Sequence, residues 1–177
     1  MSTTIIIIII TCITSYLAFQ DSSRKYKWMM NPYQIVHRKQ YGRLITSGFI
    51  HADWVHLIFN MLTLYFFGDI VEFYFNQVSQ YGTVLYIAMY VLGILVSDIP
   101  SLIKHKDNPN YNALGASGAV SAVVFSSILF NPLQELCLYG LLCLPGFIFG
   151  AIYVIYSYFS AKNQRDNIGH EAHLAGA

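Results

Sequence analysis

Apolar runs of about the length needed to cross a bilayer recur along this whole chain, and that recurrence constrains the fold more than any other feature. A spanning helix needs about 20 mainly apolar residues, each adding about 1.5 Å. Runs approaching that size lie at residues 3–19, 54–75, 84–103, 116–130 and 142–159, and a sixth begins near His170. Composition agrees: 55% of the residues are hydrophobic and 11% charged, whereas a soluble domain carries about a quarter charged residues. The expected fold class is all-α, a polytopic membrane helical bundle forming a single domain over residues 1–177. Its sixth span is expected to be incomplete, because Ala177 falls only about 12 Å into that helix.

The polar stretches between the runs add detail. A formal net charge of +1 without a concentrated basic run leaves no electrostatic footprint for nucleic acid. Residues 20–50 interleave Trp28, Met29, Met30, Tyr33, Tyr41 and Phe49 with Arg24, Lys25, Lys27, Arg38, Lys39 and Arg43. That mixture suits lipid headgroups, so a structured interfacial element is expected there. Residues 131–144 are similar but less charged, and Pro145-Gly146 should break or restart a helix. The short fourth run predicts a helix whose start is sunk below the membrane surface. The apolar run from Ile5 lacks a basic flank and a convincing cleavage site, as expected of an uncleaved first span. Cys12, Cys137 and Cys143 lack the spacing of a metal site or disulfide framework and are expected as small buried hydrophobes.

Polar and ionisable groups inside a span are costly, which makes them functional candidates. Gly115-Ala116-Ser117-Gly118-Ala119 stands where a polar loop enters the fourth span. Glycines beside a serine let backbone approach a substrate, and a helix start offers free N–H groups to an anion. The same small residues would equally serve as a helix-packing face. At the head of the sixth span, Gly169-His170-Glu171-Ala172-His173-Leu174-Ala175-Gly176 supplies an imidazole, the side chain suited to taking a serine's proton near neutral pH. His173 and Gly176 share a face at i, i+3, while His170 reads better as an interfacial loop residue. A zinc-helix reading of His170, Glu171 and His173 fails because that motif needs histidines four apart. Neither metal nor cofactor is expected. At the start of the second span, His56 and Asn60 are i, i+4 and stack on one face, where they could hold an oxyanion or hydrogen-bond between helices. Gly68 and Glu72, near that span's far end, read as structural, with Glu72 capping loop N–H groups at the interface.

Taken in order, these motifs resemble the rhomboid intramembrane serine proteases. That family's pattern is a histidine and asparagine four apart early in the second span, Gly-x-Ser-Gly opening the fourth, and Ala-His-x-x-Gly in the sixth. His56 and Asn60, Gly115 to Gly118, and Ala172 to Gly176 supply them. The resemblance covers essentially the whole chain and implies a rhomboid-like six-span core. It implies that Ser117 attacks and that His173 is general base, then acid. The oxyanion hole would be the Ser117 backbone N–H with the His56 and Asn60 side chains, supported by His51, Gly115 and Gly118. The family works as a dyad, so Asp98, Asp107 and Glu171 are not expected to complete a triad. Implied partners are transmembrane protein substrates met within membrane lipid. They would enter past the second and fifth spans, with residues 160–168 as a movable cap. A bacterial cytoplasmic membrane is the expected location. Two positions depart from the pattern. A tryptophan-arginine pair common in the first loop corresponds to Gly42-Arg43, which leaves the loop's anchoring open. A tyrosine that some members stack on the catalytic imidazole corresponds to Ser121, so another ring must hold His173 or it is held less tightly.

A rhomboid-like protein that binds membrane clients without cleaving them is the main alternative; its mark would be loss of the serine or histidine, and both are present. A channel or transporter fits less well, because the polar groups gather near one face instead of lining a path across. All ten Lys and Arg residues fall in the first, third and fifth connections, which the positive-inside rule would make cytoplasmic. The resemblance puts those loops and the active-site opening on the other side. The family orientation is the expectation adopted, since a long, partly embedded first loop obeys the rule less well.

Overall fold

Hydrocarbon offers the backbone no hydrogen-bond partners, so apolar runs of this length must satisfy their own N–H and C=O groups, and helices do so within one segment. The computed structural model describes residues 1–138, 142–163 and 170–177. Along the chain come α1 (Thr3–Gln20), α2 (Ser22–Trp28), α3 (Pro32–Arg38) and α4 (Arg43–Thr46), the last running into a 3-10 turn at Ser47–Phe49. Then follow α5 (Trp54–Val78), α6 (Gly82–His105), α7 (Ser117–Phe130), a hairpin of β1 (Glu135–Leu138) and β2 (Leu142–Pro145), α8 (Gly146–Asn163) and α9 (His170–Gly176). By length and composition α1, α5 and α6 can cross a bilayer, while α7 and α8 are shorter apolar helices. The chain is thus an all-α membrane bundle with one small antiparallel hairpin.

Local chemistry starts the helices where the polar residues stand. Ser2, Asp21, Asn31 and Asp53 cap α1, α2, α3 and α5, each side chain accepting a first-turn N–H. α7 is the most enclosed helix. Ala119, Val120 and Val123 pack with Leu57 and Leu64 of α5 and Tyr86, Tyr90 and Ile94 of α6. Small residues permit this: a Cβ on Gly93 would lie 2.9 Å from Ala119 Cα, and one on Gly118 would overlap the Ser97 side chain. Ser97 stands eight residues before the end of α6, so α7 starts about 12 Å inward from that end, sunk as its shortness suggested. Outward faces expose Phe66, Leu92, Ile103 and Phe159, as lipid contact requires.

Two polar assemblies close the ends. On the side away from Ser117, Glu72 accepts from the Thr3 backbone N–H at 3.1 Å and from the hydroxyls of Thr3 and Thr83. It caps N–H groups as expected, though those of α1 instead of a loop. On the other side, the first connection is the structured element its composition implied. Arg43 donates to the carbonyls of Tyr26 (2.7 Å) and Met29 (2.8 Å) and to Gln40 Oε1, so Arg43 supplies anchoring without a tryptophan beside it. Met30 and Ala113 exchange backbone hydrogen bonds, and Asn31 Nδ2 donates to Pro109 O at 3.0 Å. The first loop therefore grips the loop that delivers Ser117.

Two expectations change. The fifth run, expected to be helical from 142, begins with a strand at Leu142–Pro145 that pairs with Glu135–Leu138, in register Glu135 with Pro145 and Cys137 with Cys143. Cys143 is disulfide-bonded and so not a free buried hydrophobe; Cys12 is free. The restart at Pro145-Gly146 is where α8 begins. Within the expected cap at 160–168, residues 164–168 lie outside the described residues.

Candidate active site

Ser117 is the first residue of α7, and no described side chain caps that helix. Its first-turn N–H groups, with the positive end of the helix dipole, stay available to an anion. The approach to Ser117 runs through Gly115, whose φ of +124° belongs to the region that favours glycine. Its N–H donates to Ser47 O at 2.9 Å. A Cβ there would stand 2.7 Å from His56 Cε1 and 3.0 Å from Nε2. Glycine at 115 thus lets the loop leading to Ser117 lie directly against the His56 ring.

His56 itself is fixed by its helix start. Asp53 Oδ1 accepts the His56 N–H at 2.8 Å, and one turn on, Asn60 Nδ2 donates to His56 O at 3.0 Å. His51 lies behind, fully buried, its ring edge-on to His56 with centroids 4.8 Å apart and Nδ1 3.0 Å from Ser15 Oγ. Burial, and then the neighbouring His56, push the His51 pKa down to about 3 against the opposing pull of Asp53. His51 is a neutral supporting wall and does not reach the cavity.

α9 brings in the second half. A Cβ on Gly176 would overlap the backbone carbonyl of Gly118, so these helices touch at their glycines. His173 is three residues earlier on the same face and lines the same cavity as Ser117. Ser117, His173, His56, Asn60, Gly115 and Gly118 together line one cavity of about 1380 Å³. The site residues expected from sequence therefore converge, with His51 one layer back. The side chains of His170 and Glu171 lie outside the described residues.

Residues 38–177 match the Rhomboid domain family. The chain belongs to the rhomboid family. It is 29% identical over 170 residues to RHOMBOID-like protein 12, mitochondrial, of Arabidopsis thaliana, in an alignment covering 85% of this chain and 49% of that protein. It is 31% identical over 87 residues to Rhomboid-like protein 11, chloroplastic, of the same plant, covering 49% of this chain and 28% of that protein. The chain spans about half or less of the length of these curated relatives.

Asp98 and Tyr153 are among the other residues lining this rhomboid cavity. Asp98, a carboxylate inside the apolar run of α6, accepts from Ser47 Oγ at 3.4 Å; that partner ties it to the first loop. Tyr153 of α8 lies with its ring 6.4 Å from that of His173, planes 22° apart, and its hydroxyl 3.0 Å from Ser121 Oγ. The sequence left open whether another ring holds His173 or the imidazole is held less tightly. The contact crosses three helices, and nothing local to residue 153 marks it.

Proposed function

We propose that this rhomboid-family protein is an intramembrane serine endopeptidase that cleaves transmembrane segments of other membrane proteins through a Ser117–His173 dyad. The observation that carries the reading is the glycine contact between Gly118 and Gly176. It sets α9 against the start of α7 with His173 on the facing side, in one cavity with His56 and Asn60. In the reaction, His173 takes the Ser117 hydroxyl proton as Oγ attacks the scissile carbonyl. The tetrahedral oxyanion accepts hydrogen bonds from the Ser117 N–H and from His56 and Asn60, each such donor being worth about 3 kcal/mol in well-measured enzymes. His173 then protonates the leaving amine, the C–N bond breaks, and an acyl-enzyme remains. Water, deprotonated by His173, attacks the ester and frees Ser117.

The test is labelling of the full-length protein in detergent by a fluorophosphonate, with cleavage of a single-span substrate in parallel. Both signals should vanish in Ser117→Ala and His173→Ala, and a metal chelator should change neither. Cleavage that survives Ser117→Ala would sink the mechanism. Client binding without labelling would favour a rhomboid-like protein that binds membrane proteins and leaves them intact. The relatives' names place them in mitochondrion and chloroplast, so an organellar membrane stands beside the bacterial inner membrane as the compartment; fractionation of the source cell decides.

A further inference from the structure

An imidazole free to rotate about χ1 and χ2 presents its nitrogen to a serine hydroxyl only part of the time, so a base of this kind needs a fixed ring plane. Ser121 of α7, one turn beyond the nucleophile, has no aromatic surface to offer. The aromatic surface comes from α8. Tyr153 lies nearly parallel to His173, within the range over which offset rings attract. Phe125 of α7 and Phe149 of α8 hold the tyrosine ring, with centroids 5.5 Å and 6.3 Å away. Its hydroxyl, which a buried tyrosine must satisfy, is matched to Ser121 on α7.

We infer that Tyr153 is a positioning residue for His173 and that Ser121 is its anchor. Two helices thereby divide a task that one aromatic at position 121 would perform alone. The inference rests on the Ser117–His173 reading and deepens it: the reactivity of the base depends on how α8 sits against α7. Gly150, one turn before Tyr153, supports that dependence. A Cβ there would stand 3.3 Å from the Phe125 ring, so α8 already approaches α7 closely on this face.

Four variants of the full-length protein in detergent test it. Tyr153→Leu removes the ring and keeps apolar bulk, Tyr153→Phe keeps the ring and removes the hydroxyl, and Ser121→Ala removes the anchor. The double variant Tyr153→Leu with Ser121→Tyr moves the ring to α7. The readouts are kcat and KM on the single-span substrate, the thermal melt, and the NMR shifts of the His173 ring protons. Tyr153→Leu should lower kcat about tenfold or more at unchanged KM, a loss of orientation and not of binding. Tyr153→Phe and Ser121→Ala should each cost a few-fold, and the double variant should regain most of the kcat lost in Tyr153→Leu. The His173 shifts should move in Tyr153→Leu and stay close to wild type in Tyr153→Phe. A folded Tyr153→Leu protein with wild-type kcat and unmoved His173 shifts overturns the inference. So does a loss of kcat that merely follows the melting temperature across the set. Because the His173 shifts need no catalysis, their response to Tyr153→Leu in a protein that fails to label at Ser117 would remove the protease reading and leave the positioning contact standing.

Discussion

Single residues in this protein were legible where their meaning is local. Ser117 between glycines, His56 four before Asn60, and His173 three before Gly176 are patterns within one turn, and backbone geometry alone gives them a shared face. Tyr153 was not, since its role exists only once α7, α8 and α9 meet. His51 is intermediate: its place beside His56 could be read, but not that it is buried without a partner for Nε2 among the described residues. That burial has a consequence for stability. With its pKa lowered from 6.5 to about 3, folded His51 stays neutral at pH values where the unfolded residue binds a proton. The stability it allows is therefore complete above about pH 6.5 and is lost as pH falls from there toward 3. Thermal melts in detergent should drop between pH 7 and pH 4, and the drop should shrink in His51→Gln. An equally steep drop in that variant would mean other groups carry the pH response.

At the scale of elements, the apolar runs located α1, α5, α6 and α7 to within a few residues, because lipid leaves helix as the only local solution. The hairpin escaped notice for a physical reason. A short apolar stretch such as Leu136 to Leu144 does not distinguish strand from helix by periodicity, and Pro132 and Pro145 bound it on either side. The glycines that fasten helices were visible only as candidates, since small residues look alike whether they make a packing face or a catalytic loop. The structure gives Gly118 and Gly176 different surroundings, and substitutions at the two should separate. Valine at 118 meets the Ser97 side chain and the Gly93 carbonyl in the bundle core, where overpacking costs about 1–3 kcal/mol. Valine at 176 meets the Gly118 backbone from a helix packed on α6, α7 and α8, and relief of that overlap must shift α9 and take His173 with it. Both Gly118→Val and Gly176→Val should abolish fluorophosphonate labelling, with a clear fall in melting temperature for the first and a smaller one for the second. A Gly176→Val protein that labels at the wild-type rate would show that the glycine contact does not set the dyad.

For the whole molecule, the arrangement of faces follows from connectivity. α1 ends, α5 begins and α6 ends on one side, and with them lie the basic residues from Arg24 to Arg43, Lys104 and Lys106, and the start of the cavity. The turn between α5 and α6 and the end of α7 lie on the other, where Glu72 gathers Thr3 and Thr83. Charge and the candidate site therefore share a face, and the sequence's conflict over orientation becomes one question with two separable answers. The first connection is held in place by Arg43 and by the Met30–Ala113 bridge, so much of its basic character belongs to a folded cap and not to a free loop that the positive-inside rule describes. On that ground the family orientation is expected, with the cavity facing away from the cytoplasmic side. Reporter cysteines at the exposed positions Asn108 and Gln80 should react with a membrane-impermeant thiol reagent from opposite sides, position 108 from the extracytoplasmic one. Labelling of both from one side would contradict the bundle itself. If the sides are opposite but position 108 reacts from the cytoplasm, the fold stands, the charge rule prevails, and substrates would be cut near their cytoplasmic ends.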